Sequence, residues 1–134
     1  MFRDMGYVDE AALDRSISAS REFVKGCLAD GSYRGWFAIA ADSRVVAGVG
    51  LLVTPWVTGP EAPEQSRRPY LLSVYTDPNF RSRGVSRQLT NEAIGWCRQH
   101  GLAVLWLHAS DLGRPLYESL GFQPTNEMKL RIGF

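Results

Sequence analysis

A short basic loop at residues 81–87 holds the groups best placed for chemistry in this chain. It follows an apolar run at residues 70–76 and precedes a segment whose apolar residues recur at helical spacing. The first N–H groups of a helix have no partner inside it and lie at the positive end of its dipole, so they bind phosphate. Gly84 has no Cβ to keep a ligand from the backbone. The loop predicts an anion site, formed by Arg81, Ser82, Arg83, Gly84, Val85, Ser86 and Arg87. A solvated loop face is the alternative interpretation.

A second motif lies about 30 residues further on, where Tyr117 on a helical segment is followed by Gly121 and Phe122. The loop itself has the form Arg-x-x-Gly-x-Ser. Together, in this order, the two motifs resemble the coenzyme A signatures of the GNAT family of N-acetyltransferases, from about residue 70 to residue 130. A P-loop kinase or GTPase is excluded because no Gly-Lys-Ser/Thr follows the loop, and a dinucleotide site lacks its Gly-x-Gly-x-x-Gly.

The resemblance implies a cofactor site, with acetyl-CoA as co-substrate, an amine as acceptor and no metal. The family's two central parallel strands splay apart and hold the cofactor between them. By this resemblance the Val74 N–H binds the thioester oxygen, and the strand through Tyr75 and Thr76 pairs with the pantetheine arm. Ser110 stands where the family often has a cofactor-binding Asn, and Gly113 follows it.

For proton transfer, the resemblance identifies a general acid but no general base. The resemblance makes Tyr117 the general acid that protonates the leaving thiolate, and a helix aromatic packed on the sheet is the alternative. The general base stays open, because the strand at residues 70–76 has no Glu. His108 on the neighbouring strand can accept a proton, or it is a hydrogen-bonded core histidine. Asp77 and Glu127 are weaker candidates.

Composition limits the other functions. The chain has 134 residues, 45% hydrophobic and 22% charged, with a net charge of +1, which predicts one soluble domain over residues 1–134. This balance gives no bulk attraction to nucleic acid or membrane. Cys27 and Cys97 have no metal-like spacing, and Cys97 lies on the apolar side of a helix, which predicts a buried thiol. We expect a cytoplasmic protein, since no signal peptide or membrane-spanning run is visible.

The elements that must position these residues follow from periodicity. Residues 36–41 and 45–54 predict a β-hairpin, and Gly48 with Gly50 predicts a bulge or a close backbone neighbour. A Pro-rich loop covers residues 55–69, and Trp56 at its mouth is a candidate for lining the acceptor pocket with Tyr33, Tyr75 and Glu127. The remaining predictions are helices at 9–29, 84–100 and 110–120, strands at 70–76 and 103–109, a short strand opening at Phe122 and a last strand at 129–134. This order predicts an α/β fold with a mixed sheet, in which the strands at 70–76 and 103–109 are parallel.

One departure from the family concerns the start of the chain. Residues 1–5 resemble the middle of the family's first helix, so we expect a GNAT-like fold that lacks the usual first strand. A truncated chain and a misassigned start are the two explanations. An uncovered edge strand favours a homodimer. The sequence supports two functions: an N-acetyltransferase acting on a small molecule or a protein amine, or a non-catalytic acyl-CoA sensor on the same scaffold.

Overall fold

The computed structural model describes residues 10–133, which form helices on a mixed four-stranded sheet. Their order in the chain is α1 (Glu10–Asp30), β1 (Tyr33–Ile39), β2 (Val45–Pro55), β3 (Arg67–Thr76), a 3-10 helix (Pro78–Phe80), α2 (Val85–Gln99), β4 (Trp106–Leu107) and α3 (Arg114–Ser119). Residues 1–5, predicted to be part of a first helix, and Phe134, the predicted end of the last strand, lie outside the described residues. No helix in the described part of the chain is long and apolar enough to cross a membrane.

The strands lie in the order β1-β2-β3-β4. β1 and β2 form the predicted antiparallel hairpin, β2 and β3 are antiparallel, and β3 and β4 are parallel. Because two parallel strands need a crossover, α2 lies between them in the chain, and the predicted strand–helix–strand unit is confirmed. The α/β prediction with a mixed sheet is therefore also confirmed.

The core lies between one face of the sheet and helices α2 and α3. α2 presents Leu89, Ala93 and Cys97 to the sheet, all at helical spacing and all buried. Burial raises the pKa of the Cys97 thiol, which keeps it protonated and confirms the predicted buried cysteine. The sheet contributes Ala47, Val49, Leu51 and Leu71, and α3 contributes Tyr117. Burying one Leu side chain contributes about 1.5–3 kcal/mol.

A bulge interrupts the pairing of β2 with β3, as the two glycines predicted. Gly48 lies opposite Tyr75 and Gly50 opposite Leu72, so two steps along β2 match three along β3. The extra residue falls at positions 73–74. A close neighbour is present as well, since a Cβ added to Gly50 would lie 1.9 Å from the hydroxyl of Tyr33. The bulge turns the end of β3 away from the regular ladder.

Two predicted element boundaries differ from those in the structure, and the hydrogen bonds at each show how. β4 is limited to two residues rather than 103–109, and before it the Gln65 side chain takes up the backbone hydrogen-bonding groups of Ala103 and Val104. Its Oε1 accepts from the N–H groups of Ala103 (2.8 Å) and Val104 (3.1 Å), and its Nε2 donates to the carbonyl of Val104 (3.1 Å) and of Arg67 (2.9 Å). The loop at 55–69 is also shorter than predicted, since Pro69 pairs with Val53 inside the β2–β3 ladder.

The predicted strands at Phe122 and 129–134 are wrong as far as the described residues extend. No ladder forms within residues 120–133. Met128, Leu130 and Ile132 alternate as in a strand, yet they are 97%, 80% and 91% exposed. Alternation alone does not make a strand, because a strand needs a neighbour to satisfy its backbone. The extended C-terminal segment therefore lies on the surface.

Candidate functional site

The candidate site opens where β3 and β4 part. The two strands pair only at Tyr70 with Trp106 and at Leu71 with Leu107. Beyond these pairs the strands diverge and border a cavity of about 970 Å³. Its walls include residues 74–76 of β3, the loop before α2, residues 108–113 and Tyr117. Of the residues predicted for the cofactor site and for proton transfer, Arg83 and the weaker base candidates Asp77 and Glu127 are outside this lining, and the fold brings all the others together around the cavity.

The backbone N–H groups at the start of α2 are left exposed by the conformation of the preceding loop. Asp77 accepts a hydrogen bond from the Asn79 N–H (2.9 Å) and so caps the 3-10 helix. Ser82 and Gly84 then take left-handed backbone conformations, with φ of 63° and 76°. Gly84 is the N-cap of α2, and no side chain in the described chain caps this helix start. Open space lies where a Cβ on Gly84 would be. The unpaired N–H groups at the start of α2 therefore border the cavity without obstruction.

The three arginines of the loop have different surroundings. Arg81 donates from Nε to the carbonyl of Thr76 (3.1 Å), and Arg87 donates to the Ser119 hydroxyl (2.7 Å). The guanidinium of Arg83 lies 5.1 Å from the centre of the Phe80 ring. Arg81 therefore ties the loop to β3, and Arg87 ties α2 to α3, while Arg83 is outside the cavity lining.

A pair of hydroxyls joins the end of β3 to the first turn of α2. The Oγ1 of Thr76 and the Oγ of Ser86 lie 2.5 Å apart, and Thr76 is buried. The sequence prediction gave Ser86 a phosphate contact and missed this bond, which depends on the angle between the strand and the helix. The bond fixes the first turn of α2 over the opening between the strands.

Tyr117 extends from α3 into the core at the inner end of the cavity. Its ring is 7% exposed and contacts the Phe122 ring edge to face, with centroids 5.8 Å apart. Burial raises the pKa of the Tyr117 phenol above its ordinary value. The hydroxyl therefore stays protonated at neutral pH, as a proton donor must.

Gly113 makes room for the Tyr117 ring. A Cβ there would lie 2.9 Å from Cε2 of Tyr117 and 3.2 Å from the hydroxyl oxygen of Ser110. The same Ser110 oxygen accepts from the Gly113 N–H (3.1 Å), which closes a turn ahead of the helix. The sequence predicted a helix from residue 110, whereas in the structure residues 111–113 form this turn and α3 begins at Arg114. Gly121, with φ of 100°, follows the helix end as expected.

We expect Gly113→Ala to push the Tyr117 ring out of place. Its backbone conformation suits any residue, so the effect comes from the contact with a buried ring. The unfolding free energy should fall by about 1–3 kcal/mol, measured by chemical denaturation. Gly95→Ala in α2 is the matched control, because open space surrounds that position. It should raise stability by about 0.5–1 kcal/mol through helix propensity. Equal effects of the two changes would contradict this account.

His108 lies just past β4 and is exposed to solvent. It lines the first cavity and also a second one of about 940 Å³, and Tyr117 is shared by both. The second cavity runs along β4 beside residues 121–127. This exposure contradicts the interpretation of His108 as a core histidine and leaves its imidazole accessible as a proton acceptor. Asp77, a weaker candidate for the general base, caps the 3-10 helix instead.

Comparisons with known proteins agree with this geometry. Residues 6–122 match the model of the acetyltransferase (GNAT) family. A GCN5-related N-acetyltransferase from Ralstonia eutropha JMP134 is 39% identical, with a TM-score of 0.92 over 98% of this chain and 85% of that one. No match was found among curated proteins.

More distant structures share the fold. A protein from Clostridium acetobutylicum described as a predicted acetyltransferase with acetyl-CoA is 22% identical, with a TM-score of 0.85 over 98% of this chain and 82% of that one. An aminoglycoside 6'-N-acetyltransferase from Acinetobacter haemolyticus is 20% identical, with a TM-score of 0.68 over 95% of each chain. The splayed strands, the exposed start of α2 and the family match lead to one conclusion: this chain belongs to the acetyltransferase (GNAT) family.

Proposed function

We propose that this protein is an acetyl-CoA-dependent N-acetyltransferase that transfers an acetyl group directly to a primary amine. The observation that carries the proposal is the cavity that joins the uncapped start of α2, the diverging end of β3 and the buried phenol of Tyr117. An anion site, an extended backbone edge and a proton donor are the three features that this reaction needs.

The cavity suits coenzyme A in shape and in charge. The backbone N–H groups of residues 82–87 would bind the pyrophosphate, because the start of α2 has no side-chain cap among residues 10–133 and Gly84 leaves the approach open. The free edge of β3 from Val74 to Thr76 would pair with the pantetheine arm as an added strand does. Ser110 and Gly113 line the opposite wall. Acetyl-CoA would supply the activated acetyl group, whose thioester carbon the acceptor amine attacks.

Three groups of this chain would carry the chemistry. The Val74 N–H would donate to the carbonyl oxygen as negative charge develops on it. Tyr117 would donate its proton to the departing thiolate, since a phenol held protonated by burial can serve as general acid. His108 would take the proton that the amine loses, because an exposed imidazole can accept a proton from an arriving substrate.

Thiol release tests the proposal. The protein is incubated with acetyl-CoA and a panel of primary amines, and free coenzyme A is measured with a chromogenic thiol reagent. Turnover that depends on the amine, together with an acetylated amine in the mass spectrum, supports an enzyme. Tight binding of acetyl-CoA without turnover on any amine would favour the acyl-CoA sensor, and absence of acetyl-CoA binding would overturn both.

A further inference from the structure

Arg68 is enclosed by aromatic rings outside the proposed cofactor site. Its guanidinium carbon lies 4.8 Å from the ring centre of Trp56, 5.4 Å from that of Tyr70 and 5.1 Å from that of Trp106. The Arg68 side chain is only 14% exposed. A guanidinium packed on aromatic rings keeps its planar edge for hydrogen bonds, which suits it to carboxylates. We call Arg68 and these three rings the arginine enclosure.

One carboxylate of the chain reaches the arginine enclosure. Nη2 of Arg68 forms a short ion pair with Oε1 of Glu127, a residue of the unpaired C-terminal segment. The Glu127 side chain is 59% exposed, so the place its carboxylate occupies is connected to solvent. The Nε of Arg68 is buried and has no hydrogen-bond partner among residues 10–133. The enclosure therefore accepts a carboxylate from the solvent side, and Glu127 is the one that it holds here.

The arginine enclosure lies on the face of the sheet away from the core. Leu71 and Leu107 pair with each other, and Leu71 belongs to the core beside Tyr117. Their neighbours Tyr70 and Trp106 pair as well, and alternation directs both side chains to the other face, where they meet Arg68. The same alternation brings His108 to this face, two residues beyond Trp106. An acceptor bound here would thus approach the acetyl group from the side opposite Tyr117.

The distance along β3 sets the length of such an acceptor. The Arg68 guanidinium lies 5.4 Å from the Tyr70 ring centre, and Val74 is four positions beyond Tyr70. Four positions correspond to about 13 Å in a regular strand and somewhat less across the bulge. The acceptor nitrogen must come within about 3 Å of the thioester carbon. A carboxylate at Arg68 and an amine at the acetyl group would then be about 10 Å apart.

From this arrangement we propose that Arg68 determines acceptor specificity by binding the carboxylate of an amine whose amino and carboxylate groups are about 10 Å apart. The proposal rests on the proposed function and adds the substrate class. Glu127 occupies the carboxylate position in the free protein and is displaced by the acceptor. A carboxylate is the fitting group because the chain's own carboxylate already pairs with the guanidinium.

Matched pairs of amines test this specificity. Steady-state rates give kcat/KM for three amino acids, 4-aminobutanoate, 6-aminohexanoate and 8-aminooctanoate, and for the amines n-butylamine, n-hexylamine and n-octylamine. We expect the carboxylate to increase kcat/KM about ten- to hundred-fold for the longer pairs, the range that a hydrogen bond to a charged group provides. Arg68→Lys should remove most of this preference, since it keeps the charge but loses the planar fork. Glu127→Gln should lower KM for the amines that carry a carboxylate.

A binding titration separates the two proposals. Tryptophan fluorescence, to which Trp56 and Trp106 contribute, reports amine binding whether or not turnover occurs, and calorimetry reports acetyl-CoA. Failure to bind acetyl-CoA would overturn the proposed function alone. Equal affinity for 8-aminooctanoate and n-octylamine in the native protein, or a preference that survives in folded Arg68→Lys, would overturn the role of Arg68. Circular dichroism establishes that each variant is folded.

Discussion

Gly84→Asp is expected to weaken acetyl-CoA binding by at least about a hundred-fold. The change adds a side chain where open space borders the start of α2, and it adds a negative charge beside the proposed pyrophosphate site. A carboxylate there would accept the helix N–H groups itself, as an N-cap residue does, and would repel the ligand. Calorimetric titration with acetyl-CoA gives the dissociation constants of the native protein and the variant.

Gly84→Asn is the matched control. Asn has nearly the size of Asp, tolerates a positive φ equally well and carries no charge, so it separates the steric effect from the electrostatic one. We expect Asn to weaken binding clearly less than Asp does, and both variants to remain folded. Acetyl-CoA affinity that is unchanged in Gly84→Asp would refute the assignment of this loop to the cofactor.

Tyr117→Phe is expected to lower kcat about 10²- to 10⁴-fold, the contribution of a well-placed general acid. The ring and its contact with Phe122 remain, so only the proton donor is lost. The dissociation constant of acetyl-CoA should stay close to the native value. Steady-state kinetics under saturating amine, combined with calorimetry, measures the two quantities independently.

Tyr33→Phe serves as the comparison for Tyr117→Phe. It removes a phenol that lies across Gly50 on β2 rather than in the core. We expect kcat to change little in this variant. If Tyr117→Phe keeps full activity, the role of general acid belongs to another group, and the Tyr117 ring acts only in packing.

Most of the architecture could be predicted from the sequence, because local patterns specify it. Helical spacing identified the face of α2 that packs on the sheet, and the two glycines of β2 marked the bulge. The loop at 81–87 was recognisable because the relevant features, a strand end, a glycine and a helix start, are adjacent in the chain. Features that lie next to each other in sequence can be recognised without knowledge of the tertiary fold.

The sequence suggested that Trp56 and Glu127 line one acceptor pocket, but the position of Arg68 and Trp106 beside them could not be predicted, since the arginine enclosure joins residues from four distant segments. Arg68 and Tyr70 are close in sequence, but Trp56, Trp106 and Glu127 reach them only through the sheet pairing and the path of the C-terminal segment. The prediction of C-terminal strands was wrong for a different reason. Their alternating pattern is correct for a strand, yet pairing depends on a neighbour that the pattern does not reveal.

Gln65 has a consequence for engineering this fold. One amide side chain fastens the end of the loop before β3 to the backbone that leads into β4. The stretch between Trp56 and Gln65 can therefore be exchanged or lengthened while both of its attachment points stay in register. Grafting new sequences into that stretch offers a route to variants that differ in this loop and keep the proposed acetyl-transfer site intact.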